Sequence, residues 1–356
     1  MLLSLCDDAL TVLADLLGPC NLSAVCRRLH SLLVYRHVKW TTATMHDYKK
    51  LPLVRSACVL TYLRTVYGVP EIQHCVNLSK LTLRVRTNWN DYCPVFGLFV
   101  RRGRVEENLN TILRVLLSLP KMTCLSLELE SMDLTDKECL PLITGLATIK
   151  NLKSFTLHLR NNNLTSAFTA KLGALLRGLP DLMTFDCDLS LNCLDDTTLR
   201  NLFCGTGRAV KIQLKNNSIS DAALLMLPCD IATTRLQSLS LDVSSPWLRA
   251  RARITASGIQ SLVSHILNKA LHLTTLTLCL ERQSIGPQGV HLLSAWLRGA
   301  SGLQHLGLYL RSNDVGRRAL VSIFNTIPEG LRSLQLGLQD CHLTTGLPLK
   351  VCHSLD

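Results

Sequence analysis

A chain of 356 residues, 47% apolar but only 5% aromatic, has enough Leu, Ile and Val for a core and too few rings for an aromatic-rich sandwich. It holds no run of about 18 apolar residues, so no membrane-spanning helix is expected. The formal net charge of +12 points to acidic partners, and where those charges lie matters more than their sum.

The opening residues are apolar but lack a basic stretch, and Asp7, Asp8 and Asp15 argue against a secretory signal or a transit peptide. Fifteen cysteines are scattered, with no Cys-x-x-Cys pair and no histidine at zinc spacing. Several occupy slots where the surrounding pattern wants an apolar side chain, Cys187 most plainly. Reduced, buried thiols in a cytoplasmic or nuclear compartment are therefore expected.

Residues 1–40 carry two helical stripes. Leu10, Leu13, Leu16 and Leu17 follow the acidic pair Asp7 and Asp8, which suits a helix N-terminus. After Gly18-Pro19 come Leu22, Val25, Cys26, Leu29, Leu32 and Leu33, with Arg27 and Arg28 outside the stripe. The order Asp8, Leu10, Leu13, Leu17, Leu22, Val25, Cys26, Arg27, Arg28, Leu29 and Trp40 resembles an F-box. It departs from that pattern in a link about one helical turn shorter and in Leu5-Cys6 where Leu-Pro is usual. The resemblance implies an adaptor-binding module using Leu10, Leu13, Leu17, Leu22, Val25 and Leu29. The bare reading of the stripes is a helical cap for whatever follows.

Residues 41–76 are transitional, with Leu60, Leu63, Val66, Val69 and Ile72 outlining a degenerate first repeat. From 77 to 356 one skeleton recurs: Leu152-x-x-Phe155-x-Leu157-x-Leu159-x-x-Asn162-x-Leu164 is its clearest copy. Equivalent positions Leu127, Leu157, Cys187, Leu214 and Leu241 follow at 30, 30, 27 and 27 residues, and Leu278, Leu308 and Leu336 at 30 and 28. This skeleton and period resemble the leucine-rich repeat family in its ribonuclease-inhibitor-like branch. Period-two apolar residues make a short strand in each repeat, and the stretch that follows has helical spacing, as in Phe168, Leu172, Leu175 and Leu176 before Gly178 and Pro180. The expected fold is α/β: a leucine-rich repeat solenoid of about nine repeats, a horseshoe with a parallel sheet inside and helices outside, behind a small helical F-box-like cap. Asn162, Asn192, Asn217 and Asn313 fill the asparagine slot but other repeats do not, so an incomplete ladder is expected.

Alternation also names the side chains of the concave face: Arg84, Arg86, Glu128, Glu130, His158, Arg160, Asp186, Asp188, Lys215, Asp242, Glu281, Tyr309 and Arg311. Acids and bases nearly balance there, which suits one shaped protein surface better than a phosphate backbone. His158 is expected to have acidic neighbours at Asp188 and Glu128 and to serve as a contact residue. Two spacings break the period, 44 residues from Leu83 to Leu127 and 37 from Leu241 to Leu278. The first insert holds Trp89 and Arg101, Arg102 and Arg104; the second holds Trp247, Arg249, Arg251 and Arg253. Tryptophan among arginines suits a contact point for protein, or less favourably for RNA; the alternative is a solvated loop whose tryptophan tucks back onto the rim. The last repeat runs into Leu343, Leu347, Leu349 and Val351, and either this tail folds under the final strand or a partner covers the open end.

Gly205, Gly207 and Arg208 lack the ending of a phosphate loop, and no metalloprotease or nucleophile-elbow motif occurs. No enzymatic activity, cofactor or metal is expected. The resemblance implies a protein-interaction scaffold serving as substrate-recognition subunit of a cullin–RING (SCF-type) ubiquitin ligase. The alternative is a non-catalytic structural subunit of a large ribonucleoprotein or cytoskeletal assembly, anchored by the basic inserts.

Overall fold

In most repeats the Leu-x-Leu run forms a five-residue strand whose alternate side chains are buried, as at Leu125 and Leu127, Phe155 and Leu157, and Leu276 and Leu278. The computed structural model describes residues 59–65, 80–85, 122–203, 207–227, 235–245, 253–341 and 352–354, with Leu109, Leu113, Leu116 and Leu117. Two compact units make up the chain. The first contributes strands β1 (Val59–Thr65), β2 (Lys80–Val85) and β3 (Cys124–Glu128), joined in parallel. The register of β1 on β2 shifts between Leu60 and Leu63, so the described part of the transitional segment, Val59–Thr65, is a strand with an irregular step. The N-terminal segment read as F-box-like lies outside the described residues.

The second unit comprises residues 130–144 and 153–356. Its strands are β4 (Ser154–His158), β5 (Thr184–Asp188), β6 (Ala209–Gln213), β7 (Ser238–Asp242), β8 (Thr275–Cys279), β9 (His305–Tyr309) and β10 (Ser333–Gly337). They pair in sequence order, all parallel and without a register shift, so Leu157, Cys187, Ile212, Leu241, Leu278 and Leu308 form one buried line that ends at the half-buried Leu336; Ile212, and not Leu214 as the spacing suggested, stands opposite Cys187. Parallel pairing of consecutive strands needs a crossover, and helices supply it. α1 (Asp136–Leu146) precedes β4 and straddles the boundary of the units. The others are α2 (Ser166–Arg177), α3 (Thr197–Leu202), α4 (Asp221–Leu225), α5 (Ala256–Leu262), α6 (Gly286–Leu297) and α7 (Arg317–Phe324). A π turn over Val263–Leu267 continues α5. This is a leucine-rich repeat solenoid, shown by its own geometry.

α2 follows the expected stripe. Phe168, Leu172, Leu175 and Leu176 are buried, Thr165 caps the start through a bond from the Ala167 amide at 3.3 Å, and Gly178 ends it. Successive helix starts are tied together. The Asp136 carboxylate accepts from the amide and hydroxyl of Thr165, Asp196 does the same for Ser220 (2.6 and 2.7 Å), and Asp221 for Thr255. An acid at one helix start thus holds the cap residue of the next, where donors are otherwise unmet.

The asparagine ladder is longer than the sequence suggested. Asn192 donates to the carbonyls of Leu189 and, one repeat back, Leu159, while its Oδ1 accepts from Leu164. Asn162, Asn217 and Asn313 behave alike. Where asparagine is missing, Gln283 donates to Val243 at 2.8 Å and accepts from Ile254 at 2.8 Å, and the Cys341 thiol donates to Leu310 at 3.2 Å. An amide one methylene longer and a thiol therefore do part of the asparagine's work, which motif spelling concealed.

The residue before each slot turns the chain through the left-handed region: Asn161, Leu191, Asn216, Arg282, Ser312 and Asp340 all have φ between 54° and 58°. Asparagine adopts this conformation at lower cost than leucine does. Leu191→Asn is therefore expected to raise stability by about 0.5–1 kcal/mol, seen as a higher urea midpoint.

At the far end, β11 (Cys352–Ser354) returns to pair antiparallel with β10. That pairing occupies an edge that would otherwise invite pairing with another chain, while Leu343, Leu347, Leu349 and Val351 lie outside the described residues.

Candidate protein-binding face

The strands of the second unit present their outward residues in rows set by the register. Thr156, Asp186, Lys211, Ser240, Thr277, Gly307 and Gln335 form one row; His158, Asp188, Gln213, Asp242, Cys279, Tyr309 and Gly337 form the next. Arg160, Lys215, Glu281 and Arg311 stand two residues further on. Arg160 and Arg311 are exposed, while Glu130, His158, Asp186, Lys215, Asp242, Glu281 and Tyr309 are half-buried. In the first unit Arg84 sits opposite Glu128 in register, and Glu128 is half-buried.

The charges on this face are partly spent on each other and on the backbone. Asp186 takes His158 Nε2 at 3.4 Å and Lys211 Nζ at 3.1 Å. His158 lies directly opposite Asp188 in register, but Asp188 is buried and accepts from the Ser190 amide at 2.9 Å. The neighbour expected at Asp188 is therefore the diagonal Asp186. Asp242 repeats the local turn, accepting from the Ser244 amide at 2.9 Å and from its hydroxyl. Such short acidic side chains satisfy the backbone two residues on. Lys211 is a residue of this face that sequence reading passed over. Counting back by two from Gln213 would have found it.

Burial pushes the Asp186 carboxyl up, but hydrogen bonds from His158 and Lys211, with their charges, outweigh it and hold the group below its usual value. A carboxyl depressed in the folded state adds stability above its unfolded value of about 3.9, and that stability is lost as pH falls through the lower folded value. Asp186→Asn should accordingly lower stability slightly at pH 7, by less than about 1 kcal/mol. The gap from wild type should narrow as pH falls below the unfolded value of about 3.9 and through the lower folded one, read by urea unfolding at successive acid pH values.

Cysteine is not a nucleophile on this face. Burial, then the charges of Asp242 and Glu281, push the Cys279 thiol up to about 12. The fully buried Cys187 is raised well above the ordinary thiol value by burial first, and Cys139 reaches about 12. Among the described residues no group of three or more His, Cys, Asp and Glu could hold a metal ion, and no helix is long and apolar enough to cross a membrane.

Of the tryptophans and arginines named in the inserts, Arg253 alone is described: it is exposed and donates from Nη1 to the Arg282 carbonyl at 3.4 Å. Arg86, Trp89, Arg101, Arg102, Arg104, Trp247, Arg249 and Arg251 lie outside the described residues, as do Leu10, Leu13, Leu17, Leu22, Val25 and Leu29.

No protein-family model and no curated protein sequence matches the chain. Solved structures do resemble it. The yeast Rad7–Elc1 complex aligns over 96% of this chain and 90% of that one, at 14% identity and a TM-score of 0.48. A plant ice-binding protein aligns over 87% and 80%, at 14% identity and a TM-score of 0.37. The TLR13–ssRNA13 complex aligns over 79% of this chain and 40% of that one, at 16% identity and a TM-score of 0.37.

Proposed function

We propose that this chain is a non-catalytic protein-binding scaffold and, more narrowly, the substrate-recognition subunit of a cullin–RING ubiquitin ligase. The binding surface is the strand face, where charged and polar side chains stand in fixed rows on a rigid sheet; that regular display is the observation that carries the scaffold reading. Rows of mixed sign favour one complementary protein surface and disfavour sliding along a polyanion. The ligase assignment rests on the F-box-like order of residues from Asp8 to Trp40. In this reading the apolar N-terminal positions hold the adaptor, the strand face and the Trp247 and Arg249 insert hold the target, and ubiquitin transfer takes place elsewhere in the complex.

The test is capture of purified adaptor and cullin by the full chain, against a chain carrying Leu13→Asp and Leu17→Asp. Capture by the first and loss with the second, at unchanged circular dichroism, supports the ligase. Capture by neither sinks it.

The charge of +12 and the alternating Arg249, Arg251 and Arg253 favour a second reading, a structural subunit of a large assembly such as a ribonucleoprotein. Retention on RNA that falls steeply with salt and disappears when those three arginines become alanine would favour it. No retention at low salt would end its RNA form.

A further inference from the structure

Because β4 to β10 run parallel, every helix-to-strand link of this unit lies at the same end of the sheet. The residue just before each strand is fixed there by its neighbour in the next repeat. The Lys153 carbonyl accepts from the Met183 amide at 2.8 Å, the Met183 carbonyl from Arg208 at 2.8 Å, and the Arg208 carbonyl from Gln237 at 2.7 Å. Lys153, Met183 and Arg208 thus stand on three successive repeats, about 5 Å apart, and all three are exposed. Arg235, also exposed, lies two residues before Gln237 in the following link.

Apolar exposure in this unit collects at the same end. Met183 is 42% exposed, and Leu271, in the link before β8, is 79% exposed. Leu225 and Met226, at the end of α4, are exposed as well. Of the large exposed apolar side chains described in the unit, only Val321 on α7 lies elsewhere. Exposed apolar side chains gathered in one place and rimmed by charge mark a contact surface. The charge here is mostly of one sign. In the described parts of the links before β5 to β8 the acid is Asp181 alone, whereas Asp195, Asp196 and Asp221 sit at helix starts, toward the other end of the strands. Arg177 and Arg200 fall in the last turns of α2 and α3, where they offset the helix dipole. Lys153, Arg208 and Arg235 have no such use. Each lies within three residues of a strand start, and among the described residues their side chains make no hydrogen bond or ion pair.

We infer that this end of the sheet, centred on Met183 between Lys153 and Arg208, docks an acidic segment of a protein partner in which an apolar residue lies between carboxylates. The two cations select the carboxylates, and the flexible thioether between them takes an aliphatic side chain without demanding one shape. RNA fits the place less well. Its phosphates would find cations, but its bases would find no flat face, because no phenylalanine, tyrosine or tryptophan is exposed in the described parts of the links before β5 to β8. This contact lies off the strand face and away from the positions assigned to the adaptor, so it adds a second partner surface and depends on neither.

The test is fluorescence anisotropy of the full chain with a labelled peptide whose leucines are each flanked by glutamates, beside analogues with glutamine for glutamate and with serine for leucine. The acidic leucine peptide should bind at least about tenfold more tightly than the glutamine analogue, and several-fold more tightly than the serine analogue. Lys153→Gln combined with Arg208→Gln should remove most of the preference for glutamate, and Met183→Ser most of the preference for leucine. Arg332→Gln, at the equivalent position before β10 but four strands from Arg208, should change neither. All four side chains are exposed, so these variants report binding at an unchanged fold. Equal binding of the glutamine analogue would overturn the site. So would a loss with Arg332→Gln as large as with Arg208→Gln alone, which would mean diffuse attraction to a basic chain. Tighter binding of oligouridine through Lys153 and Arg208 would replace the protein partner with RNA.

Discussion

Replacing Asn162 with alanine is expected to cost about 4 kcal/mol, because it strips partners from buried backbone groups at about 1–3 kcal/mol each. Asn162 Oδ1 accepts from the amides of Met132 and Leu134, both at 3.0 Å, and its Nδ2 donates to the Leu159 carbonyl at 2.9 Å. The side chain is 5% exposed, so water cannot take over these bonds. Asn162→Asp should be no milder, since it keeps the acceptor but loses the donor and buries a charge. Asn163→Ala, one residue along and exposed, should stay within about 0.5 kcal/mol. Urea unfolding of the three variants checks this, with amide exchange on Met132 and Leu134 as the local reporter. A cost below about 1 kcal/mol for Asn162→Ala would mean the ladder is ornamental.

Phe155→Ala is expected to cost a similar amount, about 4 kcal/mol, for a different reason: a cavity in a packed core. Phe155 is fully buried and packs on Phe185 with ring centroids 6.0 Å apart at 31°. Their row continues through the half-buried Val210 to the buried Leu239, Leu276 and Leu306, so the two phenylalanines are a local aromatic insertion into an aliphatic stack. Phe155→Leu should cost only about 1 kcal/mol, because leucine is the residue most repeats place there. A double-mutant cycle of Phe155→Leu with Phe185→Leu should show coupling of about 1 kcal/mol. Each repeat of a solenoid rests mainly on its neighbours, so lost exchange protection should centre on β4 and β5. Equal loss from β5 to β10 would show that the unit unfolds as one body.

Much of this was legible beforehand. The alternation around Phe155, Leu157 and Leu159 specified a strand and its buried side. The stripe Phe168, Leu172, Leu175 and Leu176 before Gly178 specified a helix and its end. Both are short-range patterns set by the geometry of one element. What escaped notice was chemistry carried across repeats. Gln283 and Cys341 take ladder positions because what matters is a donor within reach of a particular carbonyl, not the name asparagine. The acid–hydroxyl ties from Asp136, Asp196 and Asp221 to the next helix start join residues 24 to 34 positions apart, beyond any local motif.

The sequence by itself determined the repeat, its strand and helix phases and which residues stand on the outward rows, because period and polarity act through neighbours along the chain. Tertiary structure alone decided which outward charges are free. Two strands that look alike on paper can spend an aspartate on the backbone, as at Asp188 and Asp242, or on a lysine one strand away, as at Asp186. It likewise brought Tyr309 to strand β10, where its hydroxyl bonds Gln335 at 2.6 Å and its ring lies close to Gly337. Cross-strand register brings such residues together, and register exists only once the helices have returned the chain to build the sheet.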